Sequence, residues 1–364
     1  MNEMKSNKFS KSIIFQKILS NKIPSIALLV IILFLLTAIF SYQIMPDKTP
    51  LANSIELSIA KQKPGFIAEY LLFKKNNKIL KKNNFFSGRN NTYNEVLIKE
   101  YKIINDTVYY QTNHLNSDFK KAHIRDLHFN KFGKCIQEKK FLLGTDKYGR
   151  DLLSRIILGT RVSFSVGFIS VFISIIIGLI LGVLAGYYGG KIDLFICWLI
   201  NVVWSIPTLL LVIAISIVLG KGFWQVFIAV GLTMWVEVAR VARGEVLKIT
   251  QLPYIEAIKS FGLNDISIMF KHILPNILNP IIIISAANFA TSVLLESGLS
   301  FLGIGVQPPM PSWGMIIKNH YGLIVMEKAY LSILPGMCIV MLVLSFMLLA
   351  NSLRDILDPK LKKN

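Results

Sequence analysis

Long apolar runs separated by short polar segments dominate the pattern of this chain. Each run approaches or exceeds the roughly 20 residues that an α-helix needs to cross a bilayer. The runs are Ile23–Ile44, Val162–Tyr187, Leu194–Leu219, Phe223–Val241, Ile277–Leu302 and Tyr330–Asn351. The pattern predicts an all-α polytopic membrane protein with six transmembrane helices.

Residues 46–143 separate the first apolar run from the other five. This region is rich in Lys and Asn and contains no run that could cross a membrane. Two pairs of candidate strands are joined by turns that contain Asn. They are Tyr93–Ile104 with Thr107–Thr112 across Asn105-Asp106, and Tyr70–Phe73 with Lys78–Leu80 across Asn76-Asn77. We expect a small β-containing extracytoplasmic insert. Disorder is the alternative for part of it, because Lys/Asn-rich stretches have little apolar surface to bury.

The distribution of basic residues orients the predicted helices. Five lysines lie in residues 1–22, and the apolar run that follows is too long for a signal-peptide core and lacks a cleavage site. We therefore predict a retained span with a cytoplasmic N-terminus. Counting spans from there places Glu256 and the C-terminus inside and Gln307–Lys328 outside. The positive-inside rule agrees, since the same inner side receives Arg240, Arg243, Lys248, Lys259 and Lys271.

The composition narrows the class of protein further. The chain is 53% hydrophobic, 17% charged and carries a net charge of +19, which is less charged than is usual for a soluble protein. A basic excess is typical of loops that contact an anionic bilayer, and we expect no nucleic-acid partner because no nucleic-acid-binding module is visible. The three cysteines form neither a disulfide framework nor a zinc site.

A polar segment between two very apolar ones, Gln251–Asn276, is the most informative part of the chain. Pro253 suits the first turn of a helix, and Gly262 suits the position just after a helix end. They predict a short helix of about two turns, after which Asn264 or Asp265 can cap a second helix. Such a segment stays outside the bilayer, where it can meet a soluble partner. An ordinary cytoplasmic loop is the alternative.

The spacing of Glu256-Ala257, Gly262 and Leu274-Pro275 resembles the "EAA" loop of bacterial ABC-importer permeases. Ile258 departs from the second Ala of that pattern, and His272 replaces an apolar residue. The sequence around His272 is similar to the C-type permease subunit of the oligopeptide/dipeptide/nickel group. The resemblance implies a helix that couples to an ATPase, with the coupling residues Pro253, Tyr254, Glu256, Ala257, Gly262, Leu274 and Pro275.

A second segment of the same resemblance, Gly144–Asp151, precedes the first core helix. Its carboxylates, Asp146 and Asp151, can pair with Arg150 or Arg155 and fix the entry of that helix. We favour an interfacial turn with a capped helix over a metal or catalytic site, because no His lies close in sequence.

A third segment, Gln307–Gly314, also resembles the permease group and is stiffened by three prolines. Pro308 and Trp313 are candidates for an outer gate or a contact with a solute-binding protein. A rigid turn anchored by Trp313 at the level of the lipid headgroups is the alternative.

Glu296 is the most costly residue within a predicted span, because an ionised side chain at mid-bilayer is unfavourable unless it is paired or faces water. Two interpretations stay open: the residue lines the translocation path, or it makes a structural hydrogen bond near the outer end of its helix. Glu237 lies three residues before Arg240, so a local ion pair is expected there.

No nucleotide-hydrolysing motif is visible, since Gly189-Gly190-Lys191 lacks the remaining residues of a Walker A sequence. The resemblance implies a type I ABC importer permease core and a subunit that is not an enzyme. ATP and Mg²⁺ would bind to partner chains, with no cofactor in this one. We divide the chain into three parts on this basis. Residues 1–45 are the cytoplasmic N-terminus and first span, residues 46–143 are the insert, and residues 144–364 are the permease core with its coupling loop at about 245–276.

The implied assembly lies in a bacterial cytoplasmic membrane. It contains a homologous permease subunit as heterodimer partner, two cytoplasmic ABC ATPase subunits and an extracytoplasmic solute-binding protein. Its implied function is uptake of small peptides by alternating access, with nickel or glutathione as alternative cargo. An insert larger than is usual in this family would help to dock the binding protein or shield the pore mouth.

Two other classes of protein remain as alternatives. An ion-coupled secondary transporter would carry acid or His pairs in its spans and an internal repeat, whereas Glu296 stands alone and no repeat is visible. A membrane-anchored sensor built around the insert would not need five core spans.

Overall fold

The computed structural model describes residues 16–75, 87–89, 91–113, 118–129, 133–220 and 222–357. The helices are α1 (Lys22–Ile39), α2 (Ser41–Ile44), α3 (Leu152–Tyr188), α4 (Gly190–Trp204), α5 (Thr208–Leu219), α6 (Phe223–Thr250), α7 (Pro253–Ser260), α8 (Asp265–Ile268), α9 (Leu274–Leu302), α10 (Trp313–His320) and α11 (Tyr330–Leu357). The strands are β1 (Phe66–Lys74), β2 (Tyr93–Ile104), β3 (Thr107–Thr112), β4 (Lys120–His123) and β5 (Ile136–Phe141).

Five helical stretches in the described part of the chain are long and apolar enough to cross a membrane, and a bent pair can make a sixth. The bent pair is α4 with α5, which meet at 91°. The predicted span over Leu194–Leu219 is therefore divided by a sharp bend into two helices. Pro207 has no N–H to donate and disfavours a helical conformation at Ile206, so the helix stops before it and restarts at Thr208.

The central packing of the bundle joins α3 to α6 through a row of glycines. A Cβ atom at Gly182 would lie 2.5 Å from the carbonyl oxygen of Ala239 and 2.7 Å from the Cβ atom of Ala242. Gly178 and Gly186 make equally close approaches to α6 one turn away on either side. Small residues permit this separation between transmembrane helices, so the repeating glycines serve helix packing.

The described part of the insert forms a five-stranded antiparallel sheet with strand order β4-β3-β2-β1-β5. The predicted β2–β3 hairpin is confirmed, with Ile104 paired to Thr107 across the turn. The predicted strand Tyr70–Phe73 is part of β1, which pairs with β2 and β5. Its proposed partner Lys78–Leu80 lies outside the described residues. Small apolar clusters cover both faces of the sheet.

A junction segment, residues 47–62, connects α2 to the sheet and packs against the entry of α3. The backbone N–H groups of Glu56 and Lys61 donate to the carbonyl oxygens of Tyr148 and Asp146. The N–H of Asp47 donates to Ser154 Oγ at 2.9 Å, so the beginning of the segment lies beside the first turn of α3. Gly149 has φ +75° and approaches the Glu56 carbonyl too closely for any side chain.

Candidate functional site

The predicted short helix in the most informative segment is present as α7. Pro253 occupies its first turn, and Gly262 follows its end with φ +76°, as predicted. Ile255 is fully buried and packs with Val246 of α6 and Ile273, just before α9. One face of α7 is therefore fixed to the ends of the long helices.

The side chains on the other side of α7 are exposed, and in the described part of the chain only Tyr254 and Lys259 among them make polar or cation–π contacts with the helices, through their polar ends. We define the α7 surface as Tyr254, Glu256, Ala257, Lys259 and Phe261, all of which are exposed. Phe261 is 83% exposed, whereas Ile255 on the opposite side of the segment is fully buried.

Polar contacts tie the α7 segment to the helices beneath it. Tyr187 Oη at the end of α3 donates to Asp265 Oδ1 at 2.6 Å, and Lys259 Nζ lies 4.4 Å from the centre of the Tyr187 ring. The N–H of Ile266 donates to Asn264 Oδ1 at 3.2 Å, so Asn264 is the cap of α8. These contacts hold the segment in one orientation relative to α3.

A π-helical turn, Met269–Ile273, joins α8 to α9 and was not predicted. Pro275 follows it, and a proline cannot donate to the carbonyl four residues earlier and collides with it in a regular α-helix. A wider turn relieves that collision. Asn276 Nδ2 donates to the His272 carbonyl at 2.6 Å and lies 3.4 Å from Tyr254 Oη. The Pro-Asn pair thus shapes the connection between α7 and α9.

The structure brings the seven predicted coupling residues to one end of the bundle. Leu274 is half-buried in the apolar cluster that holds Ile255. The exposed members are Pro253, Tyr254, Glu256, Ala257, Gly262 and Pro275.

Two arginines fix α6 against α4 near the same end. Arg243 makes a bidentate ion pair with Asp193, at 2.5 Å from Nε and 2.7 Å from Nη2. The predicted ion pair between Glu237 and Arg240 is absent from the ion pairs of the described residues. The Arg240 guanidinium instead lies 3.4 Å from the centre of the Trp204 ring, because the turn between α4 and α5 brings that indole to α6.

At the other end of the bundle, the Gly144–Asp151 segment forms a buried turn. Asp146 accepts from Arg150 Nε at 2.7 Å, and Arg155 lies 3.8 Å away. Asp151 caps α3 by accepting from the Ser154 N–H at 2.9 Å. The predicted capped helix entry is confirmed, and Asp146 and Arg150 form its ion pair.

Polar side chains recur every fourth residue along one face of α9 and are all buried: Asn288, Ser292, Glu296 and Ser300. Glu296 Oε1 accepts from Ser300 Oγ at 2.6 Å. Its Oε2 atom has no hydrogen-bond partner within the described residues, although the Ser297 and Ser312 hydroxyls lie nearby. Glu296 therefore points into the chain rather than toward lipid. The four-residue spacing is a sequence signal that reasoning about Glu296 alone missed.

The predicted outer loop Gln307–Lys328 contains the helix α10, capped by Ser312. Trp313 is fully buried, donates from Nε1 to the Ile156 carbonyl at 3.0 Å and packs against Gly159. An anchor for Trp313 at the lipid headgroups is therefore wrong: the indole fills the interior beside α3. Pro308 is exposed, and its role as an outer gate stays a prediction.

Trp313→Phe should lower the free energy of unfolding by about 1–2 kcal/mol, because the Ile156 carbonyl loses its donor while most of the aromatic volume is kept. Thermal unfolding of the detergent-purified chain measures this change. Trp224→Phe is the matched control, since Trp224 is 63% exposed. An equal effect of both substitutions would contradict the role given to the indole N–H.

His320 was not singled out from the sequence, yet it is buried at the end of α10. Its Nε2 atom accepts from the Lys147 N–H at 3.1 Å, and Nδ1 lies 2.6 Å from the Ile316 carbonyl, an arrangement that fits a neutral ring donating from Nδ1. Burial lowers the pKa of His320 below its usual value. A proton on Nε2 would also remove the acceptor for Lys147.

The fold should therefore lose stability as the solution is acidified. A lowered folded-state pKa means that the unfolded chain binds the proton first, so the contribution is complete above the unfolded pKa of about 6.5 and declines below it. Melting temperatures between about pH 8 and about pH 5.5 test this. His320→Gln should flatten the profile, whereas His123→Gln, at an exposed position, should leave it unchanged.

Among the described residues, no group of three or more His, Cys, Asp or Glu side chains could hold a metal ion.

Comparison with known proteins gives a consistent result. Residues 178–363 match the family described as binding-protein-dependent transport system inner membrane component. The glutathione transport system permease protein GsiD of Pectobacterium atrosepticum is 42% identical over 220 residues, which cover 60% of this chain and 73% of that protein. The dipeptide transport system permease protein DppC of Alkalihalophilus pseudofirmus is 38% identical over 219 residues, covering 60% and 72%.

Among solved structures, a chain of the MetNI methionine ABC transporter in an inward-facing conformation matches with a TM-score of 0.47 and 20% identity. The match covers 57% of this chain and 98% of that one. A chain of an amino acid ABC transporter with histidines matches with a TM-score of 0.41 and 18% identity, covering 55% and 92%.

Proposed function

Because this chain belongs to the family of binding-protein-dependent transport system inner membrane components, we propose that it forms part of the pathway by which an ATP-driven importer carries small peptides. The chain is a multi-pass inner-membrane permease and not an enzyme. In such systems, separate ATPase subunits hydrolyse ATP, and we assign ATP and Mg²⁺ to those partners.

The observation that carries the proposal is the contrast between the two sides of α7. Ile255 is fully buried against the long helices, whereas Phe261 and Ala257 are exposed beyond them. We infer that two cytoplasmic ATPase subunits dock in the assembly, one of them on the α7 surface. This docking places α7 and the chain termini in the cytoplasm and the insert of residues 46–143 outside.

Force applied to α7 would reach the membrane helices through rigid contacts. Ile255 links α7 to α6 and to the start of α9, and Lys259 and Asp265 link its segment to Tyr187 on α3. The close glycine contact makes α3 and α6 move together. Alternating access then follows as a rigid-body rotation of this group of helices.

A second, homologous permease subunit would complete the pathway as a heterodimer partner. Glu296 is buried within this chain, so a role in the pathway requires that the facing helices separate during the cycle. An extracytoplasmic solute-binding protein would deliver cargo at the end that carries the insert, Pro308 and α10.

Small peptides are the proposed cargo because the similar proteins include a dipeptide permease and a glutathione permease. Glutathione, itself a short peptide, fits the same class. Nickel is the alternative. Uptake measured with the copurified ATPases and a panel of labelled dipeptides, tripeptides, glutathione and Ni²⁺ separates these cargoes. Transport by this chain alone under an ion gradient would support a secondary transporter instead.

Thiol labelling tests the proposed orientation directly. We expect Ala257→Cys, in a chain whose three native cysteines are replaced by alanine and which is expressed without the ATPases, to resist a membrane-impermeant maleimide in spheroplasts and to react after permeabilisation. Lys99→Cys, exposed on β2, should react without permeabilisation. Labelling of Ala257→Cys in sealed cells would overturn the proposal, because α7 would then lie on the side without ATP.

A further inference from the structure

A short connection, residues 303–311, joins the end of α9 to the start of α10 and folds back onto α9. We call it the α9–α10 loop. A Cβ atom at Gly305 would collide with Ser300 Oγ, and one at Gly314, in the first turn of α10, would collide with the Ser297 carbonyl oxygen. Because no side chain fits at either position, the loop and the first turn of α10 lie directly on α9.

A backbone N–H near each end of this loop donates to a serine hydroxyl. The Val306 N–H donates to Ser300 Oγ at 3.1 Å. The Met315 N–H donates to Ser312 Oγ at 3.2 Å, which caps α10. Both serines are fully buried, so water cannot replace them as acceptors. The two hydroxyl oxygens therefore hold the loop closed at its beginning and at its end.

Glu296 orients the first of these hydroxyls. A hydroxyl has one proton and two lone pairs, so an oxygen whose proton points to another acceptor keeps its lone pairs for an N–H. Ser300 is used in this way, because it donates to Glu296 Oε1 at 2.6 Å and accepts from Val306. The Ser312 hydroxyl lies beside the same carboxyl, and its capping contact uses only its oxygen.

The second oxygen of Glu296 is an acceptor for the Ser312 proton. The residue is 0% exposed, and its Oε2 atom has no hydrogen-bond partner within the described ranges. Buried polar atoms in native proteins nearly always have a partner. The Ser297 hydroxyl also lies near the carboxyl, but consecutive residues of a helix do not face each other. Ser312, on a different element, approaches from the side of the loop.

We propose that Glu296 is a positioning residue for the α9–α10 loop. Its carboxyl accepts from Ser300 at the start of the loop and from Ser312 at the end, so both serine oxygens face the backbone N–H groups. Pro308, the candidate gate residue, lies between these two closures. Loss of the carboxyl releases both ends, whereas loss of one serine releases one. The effect on uptake rests on the proposed transport function, but the contacts themselves do not.

Hydrogen exchange of the purified full chain in nanodiscs, without partner subunits, tests this role, because exchange reports local opening. Glu296→Leu should speed exchange of the Val306 and Met315 amides by about tenfold or more. Exchange in α7 should not change, since α7 contacts the other end of α9. Ser300→Ala should affect only the Val306 end, and Ser312→Ala only the Met315 end.

Asn288→Leu is the matched control, because Asn288 is a buried polar residue on the same face of α9, two turns away from Glu296. It should leave both loop amides protected. Glu296→Gln keeps nearly the same shape and one acceptor oxygen, so it should speed exchange at one loop end and preserve protection at the other. This variant decides the question if Glu296→Leu folds poorly.

Unchanged exchange at both amides in the glutamate variants would overturn the proposal, and so would equal acceleration in α7, which indicates a general loss of stability. An effect of Glu296→Leu at Val306 alone would show that Ser297, and not Ser312, satisfies Oε2, and would overturn the two-ended role.

Uptake by the assembled importer adds a second measurement. Glu296→Leu should lower peptide uptake while the amount of copurified ATPase stays normal. Faster exchange at both loop ends, together with no ATP-driven uptake by the unaltered assembly, would contradict the proposed transport function and support the role of Glu296.

Discussion

Ala257→Trp is expected to reduce ATP-driven uptake by about tenfold or more while the permease stays folded in the membrane. Ala257 is exposed on the α7 surface, so an indole there meets no part of its own chain. In a closely packed interface the same indole would hold the partner away. Overpacking typically costs about 1–3 kcal/mol, and each 1.4 kcal/mol or so is a tenfold change in affinity.

Uptake into proteoliposomes and the amount of copurified ATPase should fall together for Ala257→Trp. Lys102→Trp places the same side chain on an exposed strand of the insert and should change neither quantity. Normal copurification and normal uptake with Ala257→Trp would show that the ATPase does not use the α7 surface.

Gly182→Val should largely prevent accumulation of folded permease. The added Cβ atom would lie 2.5 Å from the carbonyl oxygen of Ala239 and 2.7 Å from the Cβ atom of Ala242, both in α6. Neither atom can rotate away. The helices would have to separate, which also breaks the neighbouring contacts at Gly178 and Gly186. Fluorescence-detected size-exclusion chromatography and the melting temperature of any surviving protein measure the loss.

Gly244→Val is the matched control, because Gly244 belongs to α6 but has no atom within 4 Å of the position that a Cβ would take. It should yield nearly normal amounts of folded protein. Similar losses with both variants would mean that a branched residue in the helix, rather than the distance between α3 and α6, causes the defect.

The sequence was sufficient to predict features that depend on neighbours along the chain. The apolar runs locate the membrane helices, and Pro253 and Gly262 set the two ends of α7 through their own backbone restrictions. The turn between β2 and β3 is local in the same way. For these features, the residues that determine the conformation are within a few positions of it.

The sequence was less informative where the outcome depends on which surface covers an apolar side chain. Pro207 accounts for a bend within the run Leu194–Leu219, but nothing near it in the sequence sets the angle of 91° between α4 and α5. A tryptophan at position 313 suits a lipid interface as well as the interior, so its identity alone does not predict where it lies. The space beside Gly159 decides its position. The preference of Arg240 for Trp204 over Glu237 likewise depends on the bend.

Contacts between distant parts of the chain could not be predicted from the single sequence. β1 pairs with β5 across much of the insert, as in Phe66 with Phe141, and no local signal specifies that partner. The capping role of Asp151 was foreseeable from its own neighbourhood, but the approach of Ser312 to the Glu296 carboxyl was not.

The contacts of Ser154 have an evolutionary consequence. The N–H of Asp47 and the carboxylate of Asp151 both reach this residue, so the polypeptide departs from the membrane domain and returns to it at nearly the same spot. An inserted segment whose two ends lie side by side can change in length without changing the membrane domain that contains it. A protein with a short connection at this place could therefore have the same arrangement of membrane helices as this chain with its whole sheet.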